Sequence, residues 1–133
     1  MPASARAVEL GLAAAQAAAD KLASDILLLD VSEQLVITDV FLLASAPNDR
    51  QVLAVVDEVE DRLRDLGAKP IRREGEKEGR WVLLDFGEIV VHVQHQEERV
   101  YYALERLWKD CPVIPFVDKD IAARAAARTA GRA

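Results

Sequence analysis

The chain is poor in cysteine, histidine and aromatic residues, and each shortage removes a class of function. Cys111 is the only cysteine among 133 residues, which excludes an internal disulfide framework and suits a reducing compartment. Histidine occurs twice, at His92 and His95. A structural zinc site takes four ligands, and two imidazoles with one thiol fall short of that, so no metal is expected. No Gly-rich loop follows a strand-like run, which removes the usual phosphate cradle. No apolar stretch approaches the roughly 20 residues that span a bilayer. The Ala-rich start is interrupted by Glu9, Gln16 and Asp20, unlike the unbroken apolar segment of a signal peptide. These absences predict a cytoplasmic protein that carries no cofactor.

What is present is a globular composition, 51% apolar and 30% charged, with length enough for one core without covalent staples. The net charge of −6 is uneven: residues 117–133 carry +2 and residues 1–116 carry −8. An acidic body argues against direct binding to a phosphate backbone and favours a basic protein partner. The division into a domain over 1–116 and a flexible Ala/Arg-rich tail over 117–133 follows from this shift. Arg124, Arg128 and Arg132 recur every fourth residue in the tail, where Val117 and Ile121 are the only sizeable apolar residues.

Periodicity then supplies the elements. Residues 5–23 read as a helix capped by Ser4, with Val8, Leu12, Ala15, Ala19 and Leu22 as its buried stripe. Ile26–Val31 and Val40–Ala46 are unbroken apolar runs, the mark of strands covered on both faces. After the Pro47-Asn48-Asp49 turn comes a helix over about 50–66, with Val52, Val55, Val56, Val59, Leu63 and Leu66 on one side and Gly67 as its stop. Arg50, at its start, opposes the helix dipole. Pro70–Arg73 reads as a short edge strand, followed by a charged loop, Glu74–Arg80. A third helix spans Glu97–Lys109, with Val100, Leu104 and Leu107 as its core stripe. The order predicts a single α/β domain, with a mixed five-stranded sheet and three main helices.

The segment Trp81–Gln94 is the most specific. Runs 81–86 and 89–94 flank Gly87-Glu88, which suits a type II′ hairpin turn. Pairing Phe86 with Ile89 sets Leu84 against Val91 and Val82 against Val93, an all-apolar face. The other face carries Trp81, Leu83, Asp85, Val90, His92 and Gln94, a mixture that reads as a recognition face rather than a core. Trp81 reads as an interface anchor. Tyr101 and Tyr102 stand between core and interface. Phosphoryl or nucleotidyl transfer requires carboxylates converging on neighbouring strands. Asp30, Asp39 and Asp85 lie near strand ends but form no Asp-x-Asp pair, and Asp118–Asp120, the only such pair, falls in the tail. No catalytic residue is assigned.

Taken together, Ile37-Thr38-Asp39, Arg50, Glu74-Gly75 with Trp81, Asp85-x-Gly87-Glu88-x-Val90-Val91-His92-Val93, and then Arg99, Tyr102, Leu104-Glu105 and Leu107-Trp108 resemble the ribosomal silencing factors, the Iojap-related family. The match covers about residues 5–110. The resemblance implies a nucleotidyltransferase-like fold lacking catalytic carboxylates. It implies a non-enzymatic mechanism: binding to ribosomal protein fourteen (uL14) of the large subunit and steric block of subunit joining, repressing translation under nutrient limitation. It implies contact residues Trp81, Asp85, His92, Tyr102, Glu105 and Trp108, and a homodimer. The competing reading is a residual nucleotidyltransferase-like enzyme or nucleotide binder. The Pro47-Asn48-Asp49 turn and the extension Pro112–Ala133 depart from the family pattern.

Overall fold

In the computed structural model, which describes residues 2–121 except for the side chains of Tyr101 and Tyr102, two three-stranded antiparallel sets meet at a central parallel pairing. The helix α1 (Ala5–Asp20) precedes β1 (Ser24–Asp30) and β2 (Val40–Ala46). Then come α2 (Asp49–Asp65), β3 (Arg72–Glu74), β4 (Trp81–Asp85) and β5 (Ile89–His95). The chain continues through α3 (Gln96–Tyr102), α4 (Leu104–Leu107) and β6 (Val113–Ile114). The sheet order is β3-β4-β5-β2-β1-β6, with β2 and β5 parallel and all other neighbours antiparallel. Six strands therefore replace the expected five. The sixth is a two-residue pairing of Val113 and Ile114 with Leu29 and Leu28, too short to leave a period in the sequence.

One face of the sheet makes the main core. Leu28, Val40, Leu42, Ala44, Val82, Leu84, Ile89, Val91 and Val93 point from the strands towards α1 and α2. From α2 they meet Val52, Val55, Val56, Val59 and Leu63, as its spacing predicted, although Leu66 stays exposed. Asn48 caps α2 by accepting from the Gln51 N–H at 2.8 Å, and Ser4 caps α1 by accepting from Ala7 N–H at 3.1 Å. The α1 stripe keeps its period but not its expected phase. Ala7, Leu10, Gly11, Ala14 and Ala18 are buried together with Ala15 of the expected stripe, whereas Leu12 and Leu22 of that stripe face solvent. On an Ala-rich helix the small side chains let the backbone approach the sheet, so the face with least bulk becomes the inner one. A Cβ at Gly11 would already press on Leu28 and Val40 at 3.2 Å.

The hairpin register is the expected one. Trp81 faces Gln94, Leu83 faces His92, Asp85 faces Val90, and the Phe86 N–H donates to Ile89 O at 2.9 Å. Gly87 takes φ +86°, the left-handed value that a Cβ disfavours. Gly75 (φ +84°) lies so near the Trp81 carbonyl that a Cβ would stand 1.9 Å from its oxygen.

Candidate functional site

The face of the sheet away from α1 and α2 is only partly covered. After β5 the chain turns back over it, and α3 contacts β5 and β2. Arg80 anchors this turn by donating to Glu98 at 3.0 Å and to Glu97 at 2.9 Å, both in the first turn of α3. The single helix expected over Glu97–Lys109 is broken at Ala103, which adopts φ +46°. Arg99 on one side of the break donates to Glu105 on the other at 3.2 Å. The break leaves Val100 and Leu107 exposed rather than in a core stripe. It directs Leu104 and Trp108 onto a second cluster of Leu29, Val31, Phe41, Leu43 and Cys111. The Trp108 and Phe41 rings meet edge to face at 5.2 Å. Cys111 sits buried with its thiol donating to Gln34 at 3.4 Å, and that burial raises its pKa.

This cover changes the standing of the hairpin's second face. Gln94 is fully buried and His92 nearly so, which corrects the reading of both as part of an open recognition face. The His92 ring lies 5.1 Å from Phe41, edge on, and its Nδ1 accepts the Trp81 indole N–H at 3.2 Å. Burial, with Arg99 as a lesser cause, pushes its pKa down to about 4. At neutral pH the imidazole is therefore uncharged, and with Nδ1 accepting, its proton sits on Nε2. The burial has a cost: Nε2 of His92, both amide atoms of Gln94 and one guanidinium nitrogen of Arg99 lack hydrogen-bond partners among the described residues. Trp81 is half-buried and held by His92. Trp108 packs inward on Phe41, and Glu105 braces the break through Arg99. Tyr102 belongs to α3, but its side chain lies outside the described residues.

What remains open is a depression of about 410 Å³ at the β4–β5 end of this face. Leu83, Val90 and Asp85 of the hairpin line it, with Leu35 and Ile37 from the β1–β2 loop and Ile71 before β3. Ile37 and Ile71 are strongly exposed, as is neighbouring Val36. Asp85 accepts from the Gly87 N–H at 2.8 Å and lies 3.8 Å from Arg72. Sequence reasoning missed Leu35, Ile37 and Ile71 as site residues, because two loops far apart in the chain deliver them, and Arg72, which the edge strand β3 contributes. The one signal of the three aliphatic residues is bulk in the connections between strands. The other strand-end carboxylates serve the fold: Asp30 accepts the Ala3 N–H at 3.0 Å and Asp39 the Ser4 N–H at 2.9 Å.

A family model described as "Ribosomal silencing factor during starvation" matches residues 4–133. The chain belongs to this family. A Bacillus subtilis relative named a ribosomal silencing factor is 45% identical over 100 residues, which cover 75% of this chain and 85% of the relative. One of the same name from Halalkalibacterium halodurans is 39% identical over 106 residues, 80% of this chain and 91% of that one. A Chromobacterium violaceum crystal structure superposes with a TM-score of 0.73 at 35% identity, covering 76% of this chain and 84% of that one. The mixed α/β architecture is thus shared with solved structures. None of the helices described is long and apolar enough to cross a membrane.

Proposed function

We propose that this chain acts in the cytoplasm as a non-enzymatic silencer of translation, docking on ribosomal protein fourteen of the large subunit and blocking subunit joining. The observation that carries the reading is the half-covered second face of the sheet, whose open end is an apolar depression edged by one carboxylate and one cation. An apolar centre with a polar rim is the anatomy of a docking surface, and the −8 charge of residues 1–116 suits a basic ribosomal partner. Leu83, Val90, Ile37 and Ile71 supply apolar contact in this reading, and Asp85 a charge-bearing edge. Trp81 borders the patch on the rigid support of His92. Tyr102, Glu105 and Trp108 are proposed to act at its far side, the last two by holding α3 and α4 in place. Family membership supports a ribosomal target, and occupancy alone suffices for a steric block.

An uncovered apolar face also suits a second copy of the chain. Dimer and ribosome complex would then compete for one surface by mass action. The test is a subunit-joining assay. Large subunits incubated with the protein before small subunits are added are expected to yield fewer joined ribosomes as its concentration rises. Unchanged joining at saturating protein would refute the block. Turnover of a nucleoside triphosphate with Mg²⁺ would instead favour an enzyme.

A further inference from the structure

The helix side of the molecule carries a second feature, remote from the open sheet face. A groove of about 520 Å³ lies between α1 and the C-terminal end of α2, bordered by residues 116–119. Leu12, Leu66, Phe116 and Val117 line it with apolar surface, and Glu9 and Asp65 with carboxylates. Arg62 and Lys119 also line it; Arg62 is already held at 2.8 Å by both Asp20 and Glu58, and Glu9 is paired with Arg6. Asp65 has no ion-pair partner among the described residues.

The chain is brought to this groove by Gln16, a buried residue of α1. Its Oε1 accepts the Lys119 N–H at 2.9 Å, and its Nε2 donates to Asp118 at 3.0 Å and Asp20 at 2.9 Å. Asp118 in turn accepts the Asp120 N–H at 3.0 Å, and residues 119–121 are helical. The carboxylates of Asp20, Asp118 and Asp120 lie within 4.8 Å of one another at this point. Val117 and Ile121 remain exposed beside it.

We propose that residues 122–133 of this same chain occupy the groove. Seven of these twelve residues are Ala and three are Arg. Ala presents little bulk, as it does where α1 meets the sheet, so a segment of this composition fits a shallow apolar channel. Twelve helical residues would reach about 18 Å, and the groove follows α1 from Gln16 to Glu9 for about 10 Å, so the length suffices. Arg124 stands four residues after Asp120, the spacing of a helical ion pair, and Arg128 follows one turn later. The two cations would meet the carboxylate cluster around Asp118 and then Asp65. The charge match rests on Asp65 and the cluster of Asp20, Asp118 and Asp120, and attachment at the groove through Gln16 makes the segment's effective concentration high.

The test uses the full chain with Cys111→Ser, carrying Leu12→Cys together with Ala125→Cys, Ala126→Cys or Ala127→Cys in turn. On oxidation, at least one pair is expected to give an intrachain disulfide, since only adjacent backbones can be bridged. Adding Arg124→Glu and Arg128→Glu is expected to slow that reaction at least about fivefold at low salt. Val100→Cys on α3, paired with the same three positions, is the distant control. Equal rates for Leu12→Cys and Val100→Cys would overturn the proposal, and an interchain disulfide would assign the groove to a second copy instead. A measurement free of substitutions checks the same claim. Removing residues 122–133 is expected to shift the NMR signals of Leu12 and Leu66, and unchanged signals would contradict occupancy.

Discussion

His92 unites two roles that its position in the hairpin does not separate: it supports Trp81, and it is buried against Phe41 at the floor of the open depression. Its sign under pH change follows from that burial. The unfolded side chain titrates near 6.5 and the folded one at about 4, so between those values the unfolded state binds the proton more readily. Stability contributed by the neutral imidazole is full above 6.5 and falls as the pH drops towards 4. From pH 7 to pH 5 the loss is expected to be about 2 kcal/mol from this group. Urea midpoints at the two pH values measure it, and His92→Gln is expected to remove most of the difference between them. Gln94 offers the complementary case. Its amide is fully buried with neither atom bonded among the described residues, so Gln94→Met removes an uncompensated polar group at similar volume. Thermal melts are expected to show that variant unchanged or more stable by up to about 2 kcal/mol; a clear loss of stability would mean the amide is satisfied in solution.

At the scale of elements, period was legible and phase was not. The α2 stripe, the runs of β1 and β2, and the whole hairpin register follow from spacing and turn chemistry alone. The α1 face was misplaced because apolar bulk guided the choice, whereas close approach to the sheet favours Ala. The helix after β5 was read as continuous because Val100, Leu104 and Leu107 keep helical spacing. Its break falls on an Ala, which gives no turn signal, and is held by a contact with a distant strand, Trp108 on Phe41 of β2, and by the Arg99–Glu105 pair that spans it. A left-handed Ala costs roughly 1 kcal/mol that Gly avoids. Ala103→Gly is therefore expected to stabilise the protein by about 0.5–1 kcal/mol in chemical denaturation. Destabilisation would mean that α3 and α4 are continuous in solution.

At the scale of the molecule, the sheet has one closed face and one half-open face, and the docking reading rests on the latter. The sequence signalled the hairpin side of that surface through the alternation of Leu83, Asp85 and Val90 with a core set. It gave no warning that His92 and Gln94 would be buried, nor that Ile37 and Ile71 would complete the patch, since both facts depend on long-range folding. The central claim is that this remaining patch contacts the large subunit. It is tested most directly by co-sedimenting the Leu83→Asp variant with isolated large subunits, beside the unaltered chain and Asp57→Lys on the exposed side of α2. Leu83 is half-buried on the open face, so a charge there is tolerated by the fold but disrupts apolar contact. The account predicts that Leu83→Asp lowers large-subunit binding at least tenfold, about 1.4 kcal/mol, with its melting temperature and the binding of Asp57→Lys little changed. Full binding by a folded Leu83→Asp variant would contradict it.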